Sequence, residues 1–379
     1  VDLIKKGEDS FLKRIDWMLL LFTLPILLAG LLTMQSYGEE SVFFDKQLIW
    51  MVVSICVFFF TSFVDINIFK KTKVLVVLFL VGNFLLLLLL FIGNTINGAR
   101  SWFSIGPFSF EPSDFMKIVL ILVLAKYFSK RHVAIGEVKH LLISGVYFLI
   151  PFLLIILEPD FGVSMTLGLI WFGMTLVAGI KKRHLALLFG IGVICFSLLW
   201  MFVFAPYQKA RITNFIHPLT NIHGSGYNVH QAVIAVGSGQ MFGKGIGYGT
   251  QSRLRYLPEY QTDFIFAAFT EEWGFVGAIL LLVLYGLLLA RILAIGMHGE
   301  GNFESLFASG VMILFTSHIL VNIGMNMGIL PVAGIPLPFM SYGGSHLVVE
   351  FGALGILSAM RKGTKPIHPE DLTKEFEGL

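Results

Sequence analysis

Charged residues are scarce in this chain. Asp, Glu, Lys and Arg make up 13% of its 379 residues and hydrophobic residues 56%, with a mean hydropathy of +0.82. Ordinary soluble domains are about 25% charged, so the shortage excludes a soluble enzyme. Cysteine is rarer still. Cys56 and Cys195 are the whole complement, and both sit inside apolar runs, which leaves no disulfide framework to build. The net charge of +3 does not imply nucleic acid, because in a membrane protein the side on which each charge lies matters more than the sum.

Uncharged runs of membrane length are abundant instead. A spanning helix needs roughly 20 mostly apolar residues, and seven runs qualify: Trp17 to Gly38, Gln47 to Val64, Val74 to Phe91, Leu141 to Leu157, Phe161 to Ile180, Leu185 to Phe204 and Trp273 to Ala290. Ser305 to Val349 is also uncharged. As one helix it would reach about 68 Å at 1.5 Å per residue, so it must break, and Pro331, Gly334, Pro336, Pro338, Gly343 and Gly344 mark where. Phe115 to Phe128, with Lys117 and Lys126 near its ends, makes a tenth span. The expected fold is an all-α integral membrane protein of about ten transmembrane helices, one polytopic domain over residues 1–379. Placing both termini in the cytoplasm puts 19 of the 27 Lys and Arg inside, as the positive-inside rule requires.

That topology makes residues 205–262 a long extracytoplasmic loop between helices 7 and 8, more than a connection needs. Chemistry is therefore expected on the outer face. The loop's Gly237–Lys244 stretch fits no phosphate-loop spacing. His217, His223 and His230, six and seven apart, match no metal-ligand pattern.

Acids and bases gather at the outer boundary in four places, where charge is costly unless paired or used. Arg100 precedes the fourth helix, and Glu111, Ser113, Asp114 and Lys117 open it. Glu158-Pro159-Asp160 forms a short turn, Gln208, Lys209 and Arg211 follow the seventh helix, and Asp263 starts the eighth with Glu271 and Glu272 beyond it. Ser113, Asp114, Asp160 and Asp263 each have a second reading as helix caps. At Asp263 a helix dipole would lower the pKa and burial would raise it. Several cations on one outer face suit a diphosphate.

From Gly249-Thr250-Gln251-Ser252 through Leu257-Pro258-Glu259, Thr262-Asp263-Phe264 and Glu271-Glu272, the chain resembles the SEDS family (shape, elongation, division and sporulation), in particular its RodA branch. The likeness continues through Asn322-Ile323-Gly324-Met325, Gly328-Ile329-Leu330-Pro331, Gly334-Ile335-Pro336-Leu337-Pro338 and Ser341-Tyr342-Gly343-Gly344-Ser345, and back to Pro112-Ser113, Lys117 and Pro159-Asp160. The resemblance implies a peptidoglycan glycosyltransferase of the bacterial cytoplasmic membrane. Such an enzyme polymerises lipid II beside a class B penicillin-binding protein, for cell-wall elongation and rod shape, with Asp263 as the catalytic residue. The family usually has Gln at the positions of Glu111 and Glu158, so this chain is expected to carry two extra negative charges there.

The chemistry matches the residues. Converting an α-linked lipid diphosphate into a β-1,4 glycan inverts the anomeric centre, which needs one base on the acceptor hydroxyl and cations on the departing diphosphate. Asp263 is the expected base. Arg100, Lys117, Lys209 and Arg211 are expected on the diphosphate, with Glu111, Asp114, Asp160 and Ser341 completing the substrate site. A divalent cation, Mg or Mn, is the one cofactor this chemistry admits; no organic cofactor is expected. A lipid II flippase is the competing reading, since Glu271, Glu272 and the broken proline-rich segment would also suit a transport path.

Overall fold

Without water to satisfy backbone groups, a chain of this hydropathy must fold into helices. The computed structural model describes residues 15–35, 42–96, 99–105, 108–130, 138–202, 204, 206–217, 226–254 and 256–361. In order come α1 (Trp17–Gln35), α2 (Val42–Phe63), the single turn α3 (Ile66–Lys70) and α4 (Thr72–Ile92). Three short strands follow, β1 (Asn94–Ile96), β2 (Ala99–Ile105) and β3 (Phe108–Phe110), then α5 (Pro112–Ser129), α6 (Val138–Leu157), α7 (Phe161–Val177) and α8 (Lys182–Phe202). The remainder is α9 (Pro206–Ile216), α10 (Tyr227–Ser238), the turn α11 (Thr250–Arg253), α12 (Ile265–Met297), α13 (Asn302–Asn326) and α14 (Gly344–Met360).

Seven of these helices, α1, α2, α4, α6, α8, α12 and α13, are long and apolar enough to cross a membrane, and α7 and α14 are shorter apolar helices. The fold is thus all-α and multi-pass. Apolar runs do not announce the antiparallel β1-β2-β3 meander, which lies between α4 and α5.

The core runs through α5, α12, α13 and α14. α14 packs along α2 so closely that a Cβ at Gly355 would lie 2.5 Å from Phe58 O. By contrast α8 buries no residue, and its apolar side chains need acyl chains for cover.

α12 begins earlier than the apolar run suggests and breaks at Gly274, which holds φ 69°. The glycine-rich loop fills the break. Gln240 O and Met241 O accept from the amides of Phe275 and Val276, and the amides of Lys244 and Gly245 donate to Glu271 O and Glu272 O. A Cβ at Gly243 would fall 1.9 Å from Glu272 O, so this glycine permits the contact. The uncharged stretch after α13 leaves the helix at Met327. Side chains then satisfy its backbone: Asn322 donates to Ile335 O (2.8 Å), Gln47 to Ser341 O (3.2 Å), and the Phe339 amide donates to Glu350 (2.9 Å).

Candidate functional site at one end of the bundle

Asp263 immediately precedes α12, whose N-cap is Phe264 and has no side-chain cap. The carboxylate is therefore not a cap. Its backbone carbonyl accepts from the side-chain amides of Asn322 (3.1 Å) and Asn326 (2.9 Å), one turn apart on α13, while Asn326 Oδ1 accepts from the Ala267 amide. Ser341 works on the same segment: its hydroxyl donates to Thr262 O (2.8 Å) and accepts from the Leu337 amide (2.8 Å). Three buried polar side chains thus fix where Asp263 stands. The asparagines were missed in the sequence, although an i, i+4 amide pair within an apolar helix is a signal.

Arg211 is brought to Asp263 by α9. Gln208, one turn earlier, donates to Pro159 O (3.3 Å) and docks this face of the helix on the Glu158–Asp160 turn. Arg211 Nη1 and Asp263 Oδ2 lie 3.8 and 3.9 Å from where a Cβ on Gly334 would stand, so a bare backbone forms the adjacent wall. Burial pushes the Asp263 carboxyl up to about 6; Arg211 opposes the rise, and Glu259 and Asp160 add to it. A carboxylate near 6 is a usable base at neutral pH. Lys209 points elsewhere, its Nζ 5.9 Å from the Trp200 ring centroid. Arg100 lies on β2, and its side chain is outside the described residues.

A second group sits at the same end. The Asp114 carboxylate is paired with Lys117 at 2.8 Å and accepts from the Ser345 hydroxyl at 3.1 Å, with all three side chains buried. Glu111, at the N-cap position of α5, accepts from Ser113 Oγ at 2.6 Å. Asp160 both caps α7, accepting from the Val163 amide (3.1 Å), and accepts from Ser101 Oγ (3.0 Å). It acts electrostatically on Glu111 as well as on Asp263, which links the two groups.

The expected extra charge at Glu111 and Glu158 is corrected by burial. Desolvation, with Asp114 adding to it and Lys117 opposing, pushes Glu111 up to about 8. Desolvation with Asp160 and Glu111 pushes Glu158 up to about 9. Both are protonated at pH 7 and so are neutral, like glutamine.

Glu271 and Glu272 are buried but face the glycine-rich loop. Glu271 pairs with Lys244 (2.7 Å) and accepts from Thr250 (3.0 Å) and the Gln251 amide (3.1 Å), and Glu272 accepts from the Gly247 amide (2.7 Å). They hold a loop rather than line a path. Of the loop histidines, His217 and His230 are exposed and His223 lies outside the described residues. Among the described residues, the group with metal-ligating potential is instead His318, His346 and Glu350, buried, with one donor atom from each within 4.8 Å of the others.

The family model described as "Cell cycle protein", FtsW/RodA/SpoVE, matches residues 12–365. The chain belongs to this family. Among FtsW/RodA/SpoVE relatives, stage V sporulation protein E of Bacillus subtilis is 36% identical over 90% of this chain and 95% of its own length. Peptidoglycan glycosyltransferase MrdB of Escherichia coli is 38% identical over 72% and 74%. A chain of a peptidoglycan synthase complex, solved for the structural coordination of polymerization and crosslinking, superposes with a TM-score of 0.79 at 29% identity, covering 92% of this chain and 98% of that one. Family membership and the long apolar helices make this FtsW/RodA/SpoVE protein a multi-pass protein of the bacterial inner membrane.

Proposed function

We propose that this chain polymerises lipid II into β-1,4 glycan strands on the outer face of the membrane, with Asp263 as the general base. The activity class, peptidoglycan glycosyltransfer, is that of the family. The observation that carries the assignment of the base is a carboxylate raised to about 6, beside Arg211, on a backbone clamped by Asn322, Asn326 and Ser341.

In this reading Asp263 takes the proton from the acceptor 4-hydroxyl as that oxygen attacks the anomeric carbon from the face opposite the diphosphate. The C–O bond to the diphosphate breaks and its electron pair leaves with the lipid diphosphate, which cations stabilise without protonation. Arg211 is the cation beside Asp263. Lys117, held by Asp114, and Arg100 complete the basic set, with Lys209 set aside against Trp200, and Glu111 and Asp160 complete the substrate site. Ser341 acts by positioning Thr262 and Asp263. A hard divalent cation, Mg or Mn, bound with the diphosphate would neutralise further charge.

The same reading places both termini in the cytoplasm, gives about ten spans in one domain over residues 1–379, and puts residues 205–262 outside. It also supplies a class B penicillin-binding protein as the crosslinking partner. Similarity to a chain of a synthase complex supports that association, and elongation with rod shape follows the RodA-like motifs.

The test uses purified wild-type protein, with and without the partner, and labelled lipid II. Glycan ladders from the wild type and none from folded Asp263→Asn are expected. Equal ladders from both would remove Asp263 as the base. Lipid II crossing liposomes, with no ladders from either, would replace polymerisation by transport.

A further inference from the structure

His318, His346 and Glu350 take no part in the reaction above, yet they are buried at 1%, 7% and 2% exposure. We propose that these three residues hold a borderline-soft divalent metal ion of the zinc class inside the bundle, through two imidazole nitrogens and one carboxylate oxygen. The inference goes beyond the polymerase reading and does not depend on it.

Sequence spacing supplies half of the site. His346 and Glu350 are one turn apart on α14 and so share a helix face, and α13 presents His318 to them, its ring nearly parallel to that of His346 with centroids 5.4 Å apart. Donor atoms from all three fall within 4.8 Å of one another. They are also unspent. Both ring nitrogens of His318, Nε2 of His346 and Oε1 of Glu350 are buried without a hydrogen-bond partner. His346 Nε2 and Glu350 Oε1 approach to 2.8 Å, an ion pair when the ring is protonated, so these two atoms have an alternative to metal that His318 lacks. Buried polar atoms are nearly always satisfied, and one ion would satisfy an atom from each residue.

The second donor atoms of His346 and Glu350 are already engaged, as metal ligands require of their supports, while His318 is held by packing alone. His346 Nδ1 lies 3.3 Å from Asp114 Oδ1, giving a carboxylate–histidine–metal arrangement. Glu350 Oε2 accepts from the amide of Phe339 at 2.9 Å, and Phe339 holds φ 60°, a backbone conformation unusual for a bulky residue. A protonated His346 bridging Asp114 and Glu350 without metal would account for those two side chains, but it leaves both nitrogens of His318 orphaned, where an ion would satisfy one of them.

The donor set fixes the metal class. Two imidazoles and one carboxylate suit zinc or its transition-metal neighbours and not magnesium or calcium. This ion is thus distinct from a hard cation travelling with a diphosphate.

The experiment strips full-length protein in detergent with a chelator, dialyses it against Zn2+, Co2+ or Mg2+, and measures bound metal by mass spectrometry. Wild type is expected to keep about one equivalent of Zn2+ or Co2+ and no Mg2+, and the cobalt form to show the intense visible bands of a four-coordinate site. His318→Leu and Glu350→Gln, eluting as folded protein, are expected to retain less than about a tenth of that. Wild type that holds no transition metal, or variants that hold it as wild type does, would overturn the proposal. If neither variant folds, the cobalt spectrum of the wild type decides, and weak six-coordinate bands would overturn it. Metal content is read without any glycosyl transfer, so this proposal and the polymerase reading fail separately.

Discussion

The two ends of the helix bundle treat charge differently. At the end where α12 finishes and α13 begins, ion pairs tie helices to one another: Arg291 reaches both oxygens of Asp16 (3.1 and 2.6 Å), whose amide donates to Ser358, and Lys70 meets Glu304 at 2.5 Å. At the Asp263 end, Lys117 and Asp114 are paired within one helix, two glutamates are held neutral, and the carboxyl of Asp263 is raised beside Arg211. Pairs that bridge helices anchor a fold. Perturbed groups held in place by amides and hydroxyls, with their charge not fully cancelled, are the arrangement expected of a site.

The sharpest way to break this contrast is Asp263→Asn. It keeps the shape and removes the proposed base, and glycan synthesis is expected to fall about 10²- to 10⁴-fold, while the unfolding temperature at pH 7 rises because the raised carboxyl no longer has to ionise in the fold. Arg291→Met at the other end should do the reverse: lower the unfolding temperature but leave turnover per folded molecule intact. Lys117→Met strands the buried Asp114 carboxylate, and loss of one partner from a buried pair costs about 3–5 kcal/mol. Thermal unfolding should show this, together with lost activity.

Asn326→Leu tests positioning. It removes one of two amides on the Asp263 carbonyl, and a misplaced base costs up to about 10²-fold in rate, so a kcat reduced about tenfold with KM near wild type is expected. Glu158→Gln is the smallest change. In the folded protein Glu158 stays protonated up to about 9, whereas in the unfolded chain it ionises near its ordinary value of 4.5. Its folded-state stability is therefore complete below that value and is lost as pH rises toward 9. The glutamine variant should be more stable than wild type at pH 7 by about 1–3 kcal/mol and equal to it at pH 4.

Much of the helical architecture is legible in the sequence because a membrane span is a local property: some 20 apolar residues are enough to announce one. The β1–β3 meander and the break of α12 at Gly274 are not, since they depend on strand pairing and on a loop that arrives from about 27 to 35 residues earlier. The site was half legible. Asp114, Asp160 and Asp263 each read as cap or functional group, and only the structure separates them: Asp160 caps α7, Asp263 does not cap α12, and Asp114 is spent on Lys117 and Ser345. Which cation faces Asp263 depends on how α9 docks, and that selects Arg211 over Lys209. His318 was invisible as a partner of His346 because their meeting is tertiary.

The central claim is that Asp263 acts as a base whose proton affinity is set by burial against Arg211. Its most direct test is the rate of glycan synthesis from pH 5 to 8 for wild type and Arg211→Leu, at saturating lipid II. The account predicts a wild-type rate that rises with pH through about 6. Since Arg211 favours the charged form, its removal should move that rise to higher pH. A rate independent of pH across this range, or an acid limb that stays in place without Arg211, would contradict it.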